Sequence, residues 1–297
     1  MSWLNKSNKS NKSNKSDLAE LDLAGQASSM LLTEALNTAA RALDVPITAG
    51  PVPAPSVGTP NYLKLNARHL NEVLATELLE PFRASKGDLD IGSVIDAVDQ
   101  AGGSKYFAVS TAVTSWTCAD WQGQIEKLRN LRYSRDKQLP EIYLQQTDLI
   151  SFLTQPVGIS NETHPRMMQL LEAVWTAAFR ISVPLKVRFS TMRPIQIAPD
   201  ISPVIQTPAH SSFPAGHAIE AHALAAVLAD FFPGAKALLL NVADRIGQSR
   251  LYAGVHFPVD VAWGNACGKY AGAKLVDTIT KGGAALTPIR DAACAEK

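Results

Sequence analysis

Cysteine is scarce: Cys118, Cys267 and Cys294 are the only three in 297 residues, far apart and with no Cys-x-x-Cys pair. That pattern excludes a disulfide framework and a zinc site built on thiolates. A charge surplus is missing as well. Lys and Arg number 28 against 27 Asp and Glu, a formal net charge of +1, which argues against a general binder of nucleic acid or anionic membrane. No apolar stretch approaches the roughly 18 residues that a membrane helix needs; the nearest, Ala221 to Phe232, holds His222 and Asp230. The opening MSWLNKSNKS lacks the apolar segment of a secretory signal, so the expectation is a cytoplasmic chain without a membrane span. Nucleotide-binding loops of the GxxxxGK[ST] and GxGxxG types, a GxSxG elbow and an HExxH helix are all absent. His69, His164 and His210 have no partners at metal-ligand spacing, so no metal site is expected.

What is present is mostly helical pattern. Four Asn-Lys-Ser repeats fill positions 5 to 16, and residues 1–16 read as a disordered basic tail. Residues 17–160 read as an N-terminal helical region, with a proline-rich linker at 44–61. Within it, helical spacing predicts segments at Asp17–Leu43, Leu65–Phe82, Ile91–Ala101, Trp121–Leu131 and Leu139–Leu153. A helical core follows at 161–282 and a C-terminal tail at 283–297. The core opens at His164-Pro165, where Met168, Leu171, Val174, Trp175, Ala178 and Phe179 share one stripe and read as core filling. Further helices are predicted near Pro214–Phe231, Lys236–Leu251 and Pro258–Ile279. Alternation with period two is rare, so the fold class is all-α, a helical bundle.

Three short segments carry chemistry. In KVRFSTMRP, Lys186 and Arg193 lie seven residues apart, two helical turns, and so project from one helix face as half of an anion clamp; Pro194 then interrupts the helix. In SSFPAGHA, Pro214 suits a first helical turn and Ser212 its cap. Gly216 lets a ligand approach the free N–H groups of that turn, and His217 stands ready to exchange a proton with it. In SRLYAGVHFPVD, Arg250 adds a cation, and His256 precedes Asp260 by four residues. A carboxylate there can hold one imidazole nitrogen and leave the other basic, the base-and-orienter arrangement of an activated nucleophile. His222 lies off the face of His217 and reads as structural or exposed.

Taken together, Lys186-x6-Arg193-Pro194, Pro214-Ala215-Gly216-His217 and Ser249-Arg250-x5-His256-x3-Asp260 resemble the three-part signature of the type 2 phosphatidic acid phosphatase and vanadium haloperoxidase superfamily. The likeness covers residues 165 to 280. It implies the family's helical bundle, with His256 as nucleophile, Asp260 as its orienting carboxylate and His217 as the acid that protonates the leaving oxygen. Lys186, Arg193 and Arg250 would form the phosphate- or vanadate-binding clamp, with Gly216 as backbone donor. Two departures stand out: Ala215 replaces the family's usual Ser, leaving Ser211 and Ser212 as nearby hydroxyls, and Ile195-Gln196 replaces a second Arg-Pro. The resemblance implies a phosphatase that cleaves a small phosphate ester through a phosphohistidine without a cofactor. An alternative is a haloperoxidase that uses vanadate, peroxide and halide. A second is a helical binding protein that retains the anion pocket with little turnover. Neither nucleic acid nor a membrane span is expected to take part, and self-association stays open.

Overall fold

The structure, a computed structural model, describes residues 62–85, 87–101 and 118–297. The Asn-Lys-Ser repeats, the helix read at 17–43 and the proline-rich linker at 44–61 lie outside the described residues. In chain order the helices are α1 (Ala67–Leu79), α2 (Ile91–Ala101), α3 (Cys118–Arg132), α4 (Leu139–Thr147), α5 (Leu149–Thr154), α6 (Pro165–Phe189), the single turn α7 (Pro194–Ile197), α8 (Gly216–Phe231), α9 (Lys236–Tyr252), α10 (Pro258–Lys281) and α11 (Leu286–Cys294). Among the described residues there is no strand, only an isolated bridge between Arg83 and Leu89. The all-α expectation holds. The segment Leu139–Leu153 is two helices rather than one, because Asp148 leaves the helical conformation and accepts the Ser151 N–H to cap α5.

Helix α8 is the centre of the core. It packs against α10, α9 and α6, and nearly every residue along it is buried, as expected for a helix that is apolar on all sides. Its contact with α10 is made possible by three glycines spaced four apart, Gly264, Gly268 and Gly272. A Cβ on Gly268 would lie 2.5 Å from the Ile219 carbonyl oxygen, and one on Gly264 would lie 2.8 Å from the Ala215 oxygen. The two backbones therefore touch with no side chain between them. That proximity brings the start of α8, with Gly216 and His217, to the start of α10, with Asp260; the Ala215 N–H donates to the Asp260 carbonyl at 3.0 Å.

The C-terminal residues read as a tail fold as α11, with Leu286, Ile289 and Ala293 buried. Two carboxylates fix it in place. Glu77 accepts the Ala285 and Leu286 N–H groups at its N-terminus, both at 2.9 Å. Glu296, just past its end, accepts the Arg166 and Met167 N–H groups that open α6. A carboxylate at a helix start satisfies orphan donors and faces the positive end of the helix dipole. Glu296→Ala is accordingly expected to lower unfolding stability by about 1 kcal/mol, measured by denaturant titration; an unchanged midpoint would show that solvent serves α6 equally well.

Candidate active site

Lys186 and Arg193 do not share a helix face. The chain leaves α6 at Ser190, which has a left-handed φ of 49°, and Pro194 disfavours helical backbone at Arg193, which is extended with ψ of 156°. The two cations still converge, because Thr191 ties this turn to the loop before α8. Its N–H and Oγ1 meet Ser211 Oγ and the Phe213 N–H, both at 2.8 Å. Phe213 is in turn held among Phe189 and Trp263, ring centroids 4.8 and 5.3 Å away. Lys186 Nζ consequently donates to the Pro214 and Ser211 carbonyls. Pro214 precedes α8 instead of opening it. Ser212 caps nothing there, and its hydroxyl donates to Asp260 Oδ2.

A cavity of about 550 Å³ gathers the residues read from sequence: Lys186, Arg193, Gly216, His217, Arg250 and His256 all line it. Asp260 stands behind His256. Asp260 Oδ2 lies 3.2 Å from His256 Nδ1 and also accepts the Phe257 N–H at 2.8 Å, so one oxygen both caps α10 and orients the imidazole. That fixes the proton on Nδ1 and leaves Nε2 as an acceptor, 3.1 Å from Arg193 Nη1. Burial, followed by the charges of Arg193 and Lys186, holds the His256 imidazole well below its ordinary pKa. It is neutral at neutral pH, as a nucleophile must be. Burial also pushes the Asp260 carboxyl up to about 6, against the hydrogen bonds from Ser212 and Phe257 that favour its charged form.

Three cations in this cavity make no ion pair with a carboxylate among the described residues. Arg193 Nε donates to the His210 carbonyl at 3.0 Å and Nη1 to the Val255 carbonyl at 2.7 Å. Arg250 Nη2 donates to the Ile142 carbonyl and to Gln145 Oε1, while its buried Nε has no partner among the described residues. Desolvation lowers Lys186 to about 7 and both guanidinium groups to about 10. Such concentrated positive charge, together with the N–H groups that open α8, gives the cavity the chemistry to accept an anion. A Cβ on Gly216 would sit 3.5 Å from both Lys186 Cε and Glu220 Oε1; no clash results, but it would fill the cradle. His217 is neutral, pushed down to about 3 by burial and then by Arg250, Lys186 and Arg193.

Four residues in this wall escape the sequence reading. Trp175 and Phe179 are not core: they are 37% and 47% exposed, stack at 5.9 Å, and form an apolar side of the cavity with Val183. The shared stripe with Met168 and Leu171 hid this, because a stripe wide enough to cross from core to cavity looks uniform in sequence. His210, read as unremarkable, lies with Nδ1 3.1 Å from Arg193 Nη2. Glu220, buried one turn into α8, also lines the cavity; its signal was a carboxylate set in the apolar first turns of α8. His222 is structural, as expected, with Nε2 3.0 Å from Asp244 Oδ1. Ala215 is fully buried and does not line the cavity. The Ser212 hydroxyl serves Asp260 and that of Ser211 donates to the Phe213 carbonyl, so neither is free to replace the missing Ser.

Residues 166–279 match the family model described as the PAP2 superfamily. No curated protein matches the chain. Among solved structures, one similar fold is that of a bacterial vanadium-dependent iodoperoxidase, 16% identical with a TM-score of 0.42, over 53% of this chain and 48% of that one. The chain thus spans about half the length of that relative. Another is a transmembrane PAP2-type phosphatidylglycerolphosphate phosphatase from Bacillus subtilis, 20% identical with a TM-score of 0.34, over 72% of this chain and 94% of that one. No helix among the described residues is long and apolar enough to cross a membrane.

Proposed function

We propose that this chain, whose residues 166–279 match the PAP2 superfamily model, is a member of that superfamily that hydrolyses a small phosphate ester through a phosphohistidine at His256. The observation that carries the reading is the placement of His256: Nδ1 on Asp260, Nε2 turned to Arg193, in a cavity whose cations lack carboxylate partners. The Nε2 lone pair attacks phosphorus as the bond to the leaving oxygen breaks. The three equatorial oxygens carry the developing charge, and Lys186, Arg193, Arg250 and the N–H groups that open α8 stabilise it. His217 donates its proton to the leaving oxygen. A bound anion offsets the charges of Arg250, Lys186 and Arg193 that act together with burial to keep His217 neutral, so the substrate itself raises the proton affinity of its acid. Water then attacks phosphorus, giving its proton to His217, and releases phosphate from Nε2.

The same cradle fits vanadate, which His256, Lys186, Arg193, Arg250 and Gly216 would hold and which supplies peroxide activation when bound. Parallel assays separate the two activities. Hydrolysis of p-nitrophenyl phosphate, with phosphoryl label trapped on His256 by rapid denaturation at alkaline pH, where the phosphorus–nitrogen bond survives, is the expected result. Iodide or bromide oxidation with vanadate and peroxide, and no hydrolysis, would replace the reading by the haloperoxidase one. Because side-chain cations supply the charge, hydrolysis is further expected to survive exhaustive chelation. Loss with EDTA and recovery with a divalent ion would overturn the mechanism.

A further inference from the structure

We infer that Glu220 is a proton-carrying member of the oxyanion site, donating a hydrogen bond from Oε1 to the bound anion when protonated and repelling the anion when ionised. Glu220 is 5% exposed, sits three residues after His217 on α8, and faces the cavity beside Lys186 and Arg250. The Trp175 indole N–H, which can only donate, gives its hydrogen to Oε2 at 3.1 Å. The indole thereby fixes Oε2 as an acceptor and assigns any proton to Oε1. That oxygen has no protein hydrogen bond among the described residues, and it lies 3.5 Å from the position a Cβ would take on Gly216. It therefore borders the cradle where the oxyanion oxygens rest.

A carboxylate in an anion site is a contradiction unless it holds a proton. Burial supplies the condition, raising the Glu220 carboxyl to about 7 against the opposing pull of Trp175, Lys186 and Arg250. Binding a dianion beside it stabilises the protonated form further, so the anion enters together with a proton. Other groups facing this space are His217 on the same helix, Lys186 on α6, Arg193 after it, Arg250 on α9, and His210 and His256 in the loops. Of these Lys186 also titrates near neutrality, at about 7. The test must separate the two groups.

This inference rests on the oxyanion reading of the cavity, and sulfate tests both, because sulfate stays a dianion throughout the neutral range and needs no turnover. Calorimetry of sulfate binding is compared from about pH 6 to about pH 9 in buffers of different ionisation enthalpy. In the wild type, affinity is expected to fall with rising pH, Glu220 contributing a slope of about tenfold per pH unit. Glu220→Gln keeps the shape and can donate through its amide. It is expected to match the wild type within a few fold at about pH 6, to bind more tightly than it at about pH 9, and to take up about one proton fewer. Trp175→Phe removes the N–H that favours ionised Glu220, so its affinity limb is expected to move to higher pH. Identical slopes and proton uptake in wild type and Glu220→Gln would overturn the inference alone and leave Lys186 as the titrating group. An unmoved limb in Trp175→Phe would overturn it too, should the glutamine variant fail to fold. Absence of sulfate binding by the wild type at every pH would overturn the oxyanion reading itself.

Discussion

His256→Ala is expected to abolish hydrolysis, by at least about 10³-fold in kcat, while the protein stays folded. The loss is large because the imidazole forms the bond to phosphorus; the cations and backbone N–H groups that remain can bind the ester but have nothing to transfer it to. The structural cost is small. Asp260 Oδ2 keeps the Ser212 hydroxyl and the Phe257 N–H, so its charge is not stranded. Arg193 keeps the His210 and Val255 carbonyls. A neutral imidazole hydrogen-bonded at both nitrogens contributes about 1 kcal/mol per bond. Steady-state hydrolysis, the denaturation midpoint and sulfate affinity, measured on one preparation, check the claim. Near-native turnover would remove His256 from the mechanism. Lost turnover with lost sulfate binding would mean that the substitution collapsed the pocket and that its effect says nothing about a nucleophile.

Gly268→Ala is expected to lower stability by about 2–3 kcal/mol, although alanine is the better helix former by about 1 kcal/mol. The new methyl would meet the Ile219 oxygen at 2.5 Å, the His222 Cβ at 2.7 Å and the Ile219 Cα at 2.9 Å. Two of these atoms are backbone and cannot swing aside, so α8 and α10 must separate along their whole contact. Gly123→Ala in α3 is the matched control. Nothing among the described residues lies within 4 Å of a Cβ there, and the same chemical change is expected to stabilise by about 0.5–1 kcal/mol. Opposite signs in a urea titration support the seam; two equal shifts would show that propensity alone decides. Separation of the helices also pulls Gly216 from His256, so the Gly268 variant is expected to lose sulfate affinity as well.

Much of this was legible in the residues themselves. Helices α6, α8, α9 and α10 follow from their apolar spacing, and the cavity gathers all the residues singled out for it except Asp260, which lies directly behind its partner His256. What failed did so for identifiable reasons. Counting seven residues from Lys186 to Arg193 assumed an unbroken helix, whereas Pro194 acts backwards on Arg193 and Ser190 turns the chain earlier. The Trp175 and Phe179 stripe was periodic in the right way, but periodicity cannot say whether a face meets another helix or a cavity. The start of α11 is capped by Glu77, more than 200 residues earlier in the chain, and no local pattern carries that information. Glu220 escaped because a single carboxylate among alanines reads as a surface residue until the packing around it is known.

The glycine seam has a bearing on how this molecule can change over time. Backbone resting on backbone leaves no compliant layer between α8 and α10, so Gly216, His217 and Asp260 belong to one stiff unit that tolerates little drift. Phe179 and Val183 on α6 are apolar side chains that border the cavity, and exchanging them disturbs no helix contact of this kind. The molecule is thus divided into a frozen reactive half and an editable recognition half. Lineages or libraries derived from it should diversify what the cavity accepts through positions 179 and 183 long before they alter the chemistry performed there.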